Sequence, residues 1–162
     1  MATPKAFIEF VAALDYPMYV VTVAVRGEVD GCLVGFATQC SIHPARFLVC
    51  LSDKNRTYRL ARDTAVLAVH LVADDEKELA ELFGGQTGDD VDKLAQWPWH
   101  PGPEGVPILE GPPAWFVGRV LEQLDFGDHV GFLLEPVEAG HDRDEPGLGF
   151  QATRDIDAGH AP

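Results

Sequence analysis

The sequence has no long hydrophobic run and few basic residues. No segment approaches the roughly 18 consecutive apolar residues that a membrane-spanning helix needs, so we predict no membrane partner. Twelve Lys and Arg stand against 26 Asp and Glu, which gives a formal net charge of −14 over 162 residues. Such a surface repels polyanions, so we predict no nucleic-acid partner. Glu9 interrupts the apolar run near the N-terminus, which argues against a signal peptide and favours a cytoplasmic protein.

Cysteine is scarce, and no disulfide framework is indicated. The three cysteines are Cys32, Cys40 and Cys50, an odd number without close pairing. Their strand-like apolar context favours free thiols that behave as small hydrophobic side chains. The spacing of Cys40 and His43 could hold a metal ion, but a single pair is weak evidence. We therefore predict no metal site.

Three familiar catalytic or nucleotide-binding motifs are absent or out of context. There is no Gly-x-Ser-x-Gly elbow and no phosphate-binding loop with Gly-Lys-Ser/Thr. Residues 147–152 do match the dinucleotide pattern Gly-x-Gly-x-x-Ala. Glu145 and Pro146 precede this match where a strand is required, and too few residues follow it for a βαβ unit. A classical dinucleotide-binding domain is thus excluded.

Hydrophobic periodicity predicts a mainly β domain with a few short helices. Six strands are expected over 18–25, 32–37, 47–51, 65–72, 114–124 and 130–137. Helices are expected over 6–14, 56–62 and from a cap at Asp75, with Glu78 completing a capping box. The continuous apolar stretch 47–51 suggests a strand buried on both faces. Because strands adjoin one another at both ends of the chain, we predict an antiparallel, closed or partly closed barrel.

The domain boundaries follow from the same pattern. One domain is predicted over 1–140, with no internal repeat and no second core. Residues 141–162 are expected to form a poorly ordered tail with one short edge strand near Phe150. Residues 86–113 make a long irregular connection that carries Trp97, Trp99 and His100. These three residues suggest either a lid over a site or a surface loop, and the sequence does not separate the two.

Basic residues concentrate in one window of this acidic chain. Positions 46–62 hold five Lys or Arg and a single acid, Asp53, for a net charge of +4. Arg59 and Arg62 suit a solvated helix face paired with acids elsewhere. The residues at the predicted helix N-terminus suit a phosphate instead, because backbone N–H groups and the helix dipole favour an anion there. These residues are Lys54, Asn55, Arg56 and Thr57.

A second polar stretch precedes the predicted buried strand. Thr38, Gln39, Cys40 and Ser41 break the hydrophobic alternation. They could form a β-bulge whose side chains face water, or a turn whose N–H and hydroxyl groups bind a flat heteroaromatic ring or its phosphate. The residues alone support both interpretations equally.

An ordered set of short motifs resembles the flavin reductase family of FMN-binding split barrels. The set runs from about residue 16 to residue 139, and several departures accompany it, among them Gly35, Phe36 and His70. The matching pieces are Asp30-Gly31, Phe36-Ala37-Thr38-Gln39-Cys40-Ser41-Ile42-His43-Pro44, Leu48-Val49-Cys50-Leu51, Asn55-Arg56-Thr57, Ala68-Val69-His70-Leu71-Val72, Leu79-Ala80-Glu81-Leu82-Phe83-Gly84, Gly105-Val106-Pro107-Ile108-Leu109 and Gly127-Asp128-His129.

The resemblance implies a fold and a division of roles. It implies an antiparallel split β-barrel, a homodimer and a flavin cofactor, FMN or FAD. By match, residues 38–41 would line the flavin ring and ribityl-phosphate, and Asn55, Arg56 and Thr57 with Lys54 would bind the phosphate. His129 would lie near the nicotinamide of NAD(P)H as the catalytic residue.

The expected activity is that of an NAD(P)H:flavin oxidoreductase, acting as the reductase partner of a two-component monooxygenase. Such a protein positions two rings and stabilises the charge that develops on reduction, while the cofactors carry the chemistry. Two alternatives stay open. One is a non-catalytic flavin- or haem-binding split barrel, and the other is an enzyme that uses a deazaflavin as electron donor.

Overall fold

The computed structural model describes residues 1–159 of the chain. They form nine strands and three α-helices. Short 3₁₀ turns lie between or after these elements, at 93–95, 103–105 and 150–153. The strands are β1 (Tyr19–Val25), β2 (Glu28–Val34), β3 (Ala37–Ser41), β4 (Arg46–Ser52), β5 (Val66–Leu71), β6 (Trp99–Pro101), β7 (Pro107–Leu109), β8 (Ala114–Asp125) and β9 (His129–His141). The helices are α1 (Lys5–Ala12), α2 (Arg56–Ala61) and α3 (Lys77–Gly85).

Seven strands form one antiparallel sheet in the order β2-β1-β5-β8-β9-β4-β3. The two edge strands, β2 and β3, are consecutive in the chain and joined only by Gly35 and Phe36. The carbonyl of Phe36 accepts a hydrogen bond from Cys50 N–H at 2.8 Å, which ties this link to β4. The sheet therefore curls until its edges approach each other, and the predicted mainly β, antiparallel barrel is confirmed.

Alternation along the strands divides the apolar residues between two faces. On β1, Val21 and Val23 belong to the cluster inside the barrel, while Val20 belongs to a second cluster outside it. The outer cluster is covered by α3, the 93–109 connection and Leu148. Successive strand residues point to opposite faces, and both faces of β1 are covered, so this strand is a nearly unbroken apolar run.

The turn between β1 and β2 is shorter than predicted, since the predicted strands leave residues 26–31 between them. Arg26 and Gly27 are its two turn residues, with φ of 50° and 79°, and Val25 pairs with Glu28. Two consecutive positive φ values match the right-handed twist of the flanking strands. Strand β2 therefore begins at Glu28, and Gly31 lies inside it.

Several local predictions need correction. Residues 37–41, beyond the predicted end of the second strand, form a strand of their own, β3, with a register shift between Gln39 and Ser41, which favours the β-bulge over the turn. Burial alternates along β4 from Val49 to Leu51, because Cys50 between them is only partly buried. This strand is therefore not fully buried on both faces, as was predicted for 47–51. Helix α3 begins at Lys77 after Glu76, whose carboxylate accepts a hydrogen bond from Ala73 N–H, so the capping box at Asp75 is wrong.

The C-terminal segment, defined here as residues 146–158, packs on the body of the protein over most of its length. Leu148 is buried and exchanges backbone hydrogen bonds with Val72 and Met18. Gly147 and Gly149 make isolated bridges to Ala73 and Pro17. A 3₁₀ turn, Phe150–Thr153, stands where a short edge strand was expected. The packing of this segment contradicts the poorly ordered tail predicted after residue 140. The prediction failed because the contacts involve partners far away in the sequence.

Candidate functional site

A cavity of about 310 Å³ opens between β2, β4, α3 and the C-terminal segment. None of the described residues that line it is an Asp, Glu, Lys or Arg. Its polar groups are few, as is usual for sites that take a flat organic ligand. The lining residues are Tyr16, Met18, Cys32, Leu33, Val34, Gly35, Phe36, Cys50, Leu51, Ser52, Asn55, Phe83, Gly84, Gln86, His129, Phe150, Thr153, Ile156 and Ala158.

His129 contributes to this cavity from the first position of β9. Its Nδ1 lies 2.7 Å from Oδ1 of Asp128, and its ring centre lies 5.0 Å from that of Phe36, at an interplanar angle of 51°. Ser52 is its register partner across β4 and β9. The hydrogen bond to His129 and the charge of its ring hold the pKa of Asp128 below its usual value. The Asp128 carboxylate therefore orients the imidazole of a residue that lines the cavity.

Asn55 lines the cavity as the N-cap of α2. Its side-chain oxygen accepts a hydrogen bond from Thr57 N–H at 2.9 Å. The neighbouring N–H groups of Asp53, Lys54 and Asn55 donate to the Asp128 carbonyl, the Ser52 hydroxyl and the Ser52 carbonyl. Four backbone donors near the predicted phosphate site, those of residues 53, 54, 55 and 57, are therefore occupied within the protein.

Arg56 and Thr57 point toward a buried carboxylate and do not line the cavity. The Thr57 hydroxyl donates to Asp30 Oδ2 at 3.0 Å, and Arg56 Nη1 lies 3.7 Å from the same oxygen. Arg56 also donates to the carbonyl of Val29 at 3.1 Å. Part of the positive charge predicted for a ligand thus balances an internal acid.

The basic window is largely neutralised in three dimensions. Acidic side chains lie within 4 Å of four of its five cations: Arg46 with Glu135, Lys54 with Asp53, Arg56 with Asp30 and Arg59 with Asp89. Three of these four acids come from outside the window. The predicted pairing of Arg59 with a distant acid is confirmed. The count along the sequence overstated the local net charge, because it did not include acids from outside the window.

Residues 38–41 lie on the edge strand β3 and outside the cavity lining. Thr38, Gln39 and Cys40 are exposed. The Thr38 hydroxyl donates to the Gln39 carbonyl, and the Gln39 amide donates to the Ser41 carbonyl. These features match the β-bulge interpretation, so of the predicted site residues only Asn55 and His129 meet at the cavity within this chain.

The cysteines at the cavity stay protonated at neutral pH. Burial raises the pKa of the Cys32 thiol to about 11 and also raises the pKa of Cys50. A thiolate is the reactive form of cysteine, so neither residue is an activated nucleophile. Cys40, by contrast, is exposed on β3.

The tryptophan connection packs away from the cavity. Trp97 and Trp99 pack against the outer cluster and donate from their indole N–H groups to the carbonyls of Glu110 and Leu94. His100 pairs with Glu110 on the surface. None of the three lines the cavity, which supports the surface interpretation. Across residues 1–159, no helix is long and apolar enough to cross a membrane, and no group of three or more His, Cys, Asp and Glu side chains is arranged for a metal.

The family described as "flavin reductase like domain" matches residues 11–156, nearly the whole chain. The chain belongs to this family. The resemblance drawn from the short motifs is thereby confirmed. The match extends through the C-terminal segment to Ile156, beyond the boundary at residue 140.

Similar proteins agree with membership of the flavin reductase like family. A probable flavin reductase of Rhizobium meliloti (strain 1021) is 28% identical over 134 residues, which are 80% of this chain and 42% of the relative. An FMN reductase (NADH) of Ancylobacter novellus is 28% identical over 71% of this chain and 64% of its own length. The reductase component of a flavin-dependent trigonelline monooxygenase from Acinetobacter baylyi is 28% identical, over 80% of this chain and 42% of its own length.

A solved structure confirms the split-barrel fold of this family member. The FMN-binding protein from Thermus thermophilus with bound 1-cyclohex-2-enone superposes with a TM-score of 0.78 at 30% identity, over 88% of this chain and 78% of that one. The chain spans less than half the length of the first two curated relatives.

The sequence missed most of the cavity. Tyr16, Phe36, Ser52 and Phe150 line it but were not predicted as site residues. One signal was available for Phe36, an exposed aromatic residue that follows a glycine between two strands. Tyr16 and Phe150 carried no signal, because their position depends on contacts between the two ends of the chain.

Proposed function

We propose that this protein is an NAD(P)H-dependent flavin reductase, which passes a hydride from the nicotinamide to FMN or FAD. The observation that carries the proposal is the uncharged cavity, walled by aromatic residues and containing His129, in a member of the flavin reductase like family. The relative named FMN reductase (NADH) supports both the flavin and the donor.

The lining residues fit a flavin ring, which is flat and offers polar atoms at its edge. Phe36 and the aliphatic side chains of β2 and β4 supply apolar walls, and Ser52, Asn55 and His129 supply hydrogen-bonding groups. A flavin held by these residues would supply the hydride acceptor. His129, oriented by Asp128, holds the nicotinamide in register, and burial of both rings excludes water.

The direct test is an assay of the purified protein with NADH or NADPH and added FMN or FAD. Oxidation of a nicotinamide that depends on flavin would support the proposal. A protein that oxidises neither nicotinamide with either flavin would contradict it. A protein that binds FMN but leaves it oxidised would favour the alternative, a non-catalytic flavin- or haem-binding barrel, to which the Thermus thermophilus protein gives some support by its name.

His129→Ala is expected to lower kcat/KM for the nicotinamide by about ten- to a hundredfold, because misplacement of the ring by about 1 Å can cost that much. The affinity for FMN should change much less. His100→Ala is the matched control, since His100 is exposed, pairs with a carboxylate and lies outside the cavity. An equal loss of kcat/KM in both variants would show that His129 has no specific role in the reaction.

The phosphate assignment is tested through side chains, because four of the nearby backbone donors are occupied. Lys54→Ala and Arg56→Ala are each expected to weaken FMN binding about three- to tenfold, the scale of one charge-assisted contact. Their affinity for riboflavin, which has no phosphate, should not change. Arg59→Ala is the control, because Arg59 lies on the same helix as Arg56 but is paired with Asp89. Parallel losses of FMN and riboflavin affinity would contradict a phosphate contact.

Partner and assembly are part of the same proposal. Relatives that are reductase components support a monooxygenase as the acceptor of reduced flavin. Helix α1 has no buried residue, and Phe7, Ile8 and Phe10 are each more than half exposed. An apolar face of this kind favours a homodimer, which sedimentation equilibrium would test. We place the protein in the cytoplasm, which agrees with three free cysteines among the described residues.

A further inference from the structure

The C-terminal segment contributes a wall to the cavity. Phe150, Thr153, Ile156 and Ala158 line it together with residues of β2 and β4. These four residues follow the last strand of the barrel, so the cavity is incomplete without a segment that is not part of the sheet.

This wall is anchored by specific contacts. Phe150 N–H donates to the Tyr16 carbonyl at 2.8 Å, and the Thr153 hydroxyl donates to the Phe150 carbonyl at 2.8 Å. The Gln151 amide donates to the carbonyls of Ala12 and Leu14 at the end of α1. The position of Phe150 is therefore set by the folded body of the protein.

Phe150 and Tyr16 form a flat stacked pair in the lining. Their ring centres lie 4.8 Å apart, and their planes differ by 13°. The Tyr16 ring rests on Gly35, where an added Cβ would lie 2.7 Å from Tyr16 Cε2. Phe36, the next residue, contacts His129, so two consecutive residues hold two separate aromatic pairs at one cavity.

The two pairs are separate, because Phe36 meets His129 while Tyr16 meets Phe150. If the proposed function holds, flavin and nicotinamide meet face to face beside His129, since hydride transfer requires their reacting atoms to touch. When the flavin is FMN, the remaining flat ring is the adenine of the nicotinamide dinucleotide. Adenine is uncharged, which suits a lining without Asp, Glu, Lys or Arg. Aromatic side chains are common stacking partners for bases.

We propose that Phe150 is a specificity-determining residue whose ring, held by Tyr16 and the C-terminal segment, stacks on the adenine of the nicotinamide dinucleotide. This inference rests on the proposed function. It assigns to residues beyond the barrel the recognition of a part of the co-substrate that takes no part in the hydride transfer.

The test pairs a substitution with a truncated co-substrate. The intact protein is assayed with saturating FMN and either NADH or reduced nicotinamide mononucleotide, which lacks the adenosine part. Phe150→Ala is expected to raise KM for NADH by about tenfold, the usual scale of a base–aromatic contact. KM for the mononucleotide and the affinity for FMN should stay unchanged. Equal rises for both donors, a fall in FMN affinity, or no change would each overturn the proposal.

Two further variants separate stacking from folding. Phe150→Leu keeps apolar volume but removes the aromatic face, and it should reproduce most of the loss. Phe150→Trp keeps a face and should restore NADH binding. If Phe150→Ala fails to fold, the comparison of the Leu and Trp variants decides, and equal KM values for NADH would contradict the stacking. If the unmodified protein reduces no flavin with NADH or NADPH, the proposed function itself has failed.

Discussion

Asp30→Ala is expected to lower the free energy of unfolding by about 3–5 kcal/mol, the usual effect of leaving a buried charge without its partner. Asp30 is 1% exposed and lies 3.9 Å from Nζ of Lys93, whose side chain is also 1% exposed. Lys93 keeps a hydrogen bond to the Gln86 carbonyl and a position over the Phe83 ring. Neither of these contacts can neutralise an ammonium group. Urea denaturation at pH 7 measures the change.

The surroundings of Asp30 explain why the loss should be large. Thr57 donates to it, and Arg56 approaches it from α2. A Cβ added at Gly88 would lie almost on its carboxylate, so the site is tightly packed. The carboxylate thus joins β2, the start of α2 and the beginning of the 86–113 connection, and one substitution loosens all three.

A double substitution separates charge from packing. Combining Asp30→Asn with Lys93→Met removes both charges and should recover part of the stability lost in Asp30→Ala, because no unpaired ion is left between the two positions. Asp63→Ala, which breaks an exposed pair with Arg26, should cost less than about 1 kcal/mol. If the double variant is less stable than Asp30→Ala, the ion-pair explanation is wrong.

Acidification from pH 7 to pH 4 is expected to remove roughly 3 kcal/mol of stability through His70 alone. Burial lowers the pKa of His70 from 6.5 to about 4. Nδ1 lies 2.9 Å from the Val20 carbonyl, and Nε2 lies 3.0 Å from Leu109 N–H. A carbonyl only accepts and an N–H only donates, so Nδ1 carries the proton, Nε2 accepts, and the ring is neutral.

The direction of the pH effect follows from these pKa values. Between pH 6.5 and about 4 the unfolded chain binds a proton at His70 that the folded protein excludes. The contribution is therefore complete above pH 6.5, falls as the pH drops and is lost near pH 4. Denaturation in a series of buffers measures it.

His70→Asn provides the control for the pH effect. Asparagine has no titratable group, so the variant should be less stable at pH 7 but should lose much less stability between pH 6.5 and pH 4. His141→Asn changes an exposed histidine and is the matched control in the same assay. An unchanged profile in His70→Asn would assign the acid sensitivity to other groups.

Much of this architecture was predictable because its causes are local. The apolar run of β1, the turn residues Arg26 and Gly27, and the cap at Asn55 act over a few positions. The ordered motifs also predicted the family correctly. His129 and Asn55, identified from those motifs, do lie at one cavity. Their roles in binding and hydride transfer stay predictions.

Contacts between distant residues decided two points that the sequence left open or overstated. The polar stretch 38–41 allowed either a β-bulge or a turn, and pairing with β4 makes it an edge strand whose side chains face outward. The net charge of the basic window was overstated, because Asp30 approaches Arg56 from elsewhere in the chain. Hydrogen bonds and ion pairs between distant residues outweigh local preference in both cases.

The sequence by itself determined most strands of the large sheet, their antiparallel arrangement and the family, since hydrophobic period and turn residues act between neighbours in the chain. Only the tertiary structure decided which residues form the cavity. Tyr16 and Phe150 are brought together by backbone hydrogen bonds that join the two ends of the chain. The tertiary structure also decided the net charge around the basic window, residues 46–62. A carboxylate neutralises a cation that is close in space, whatever the separation of the two residues in the sequence.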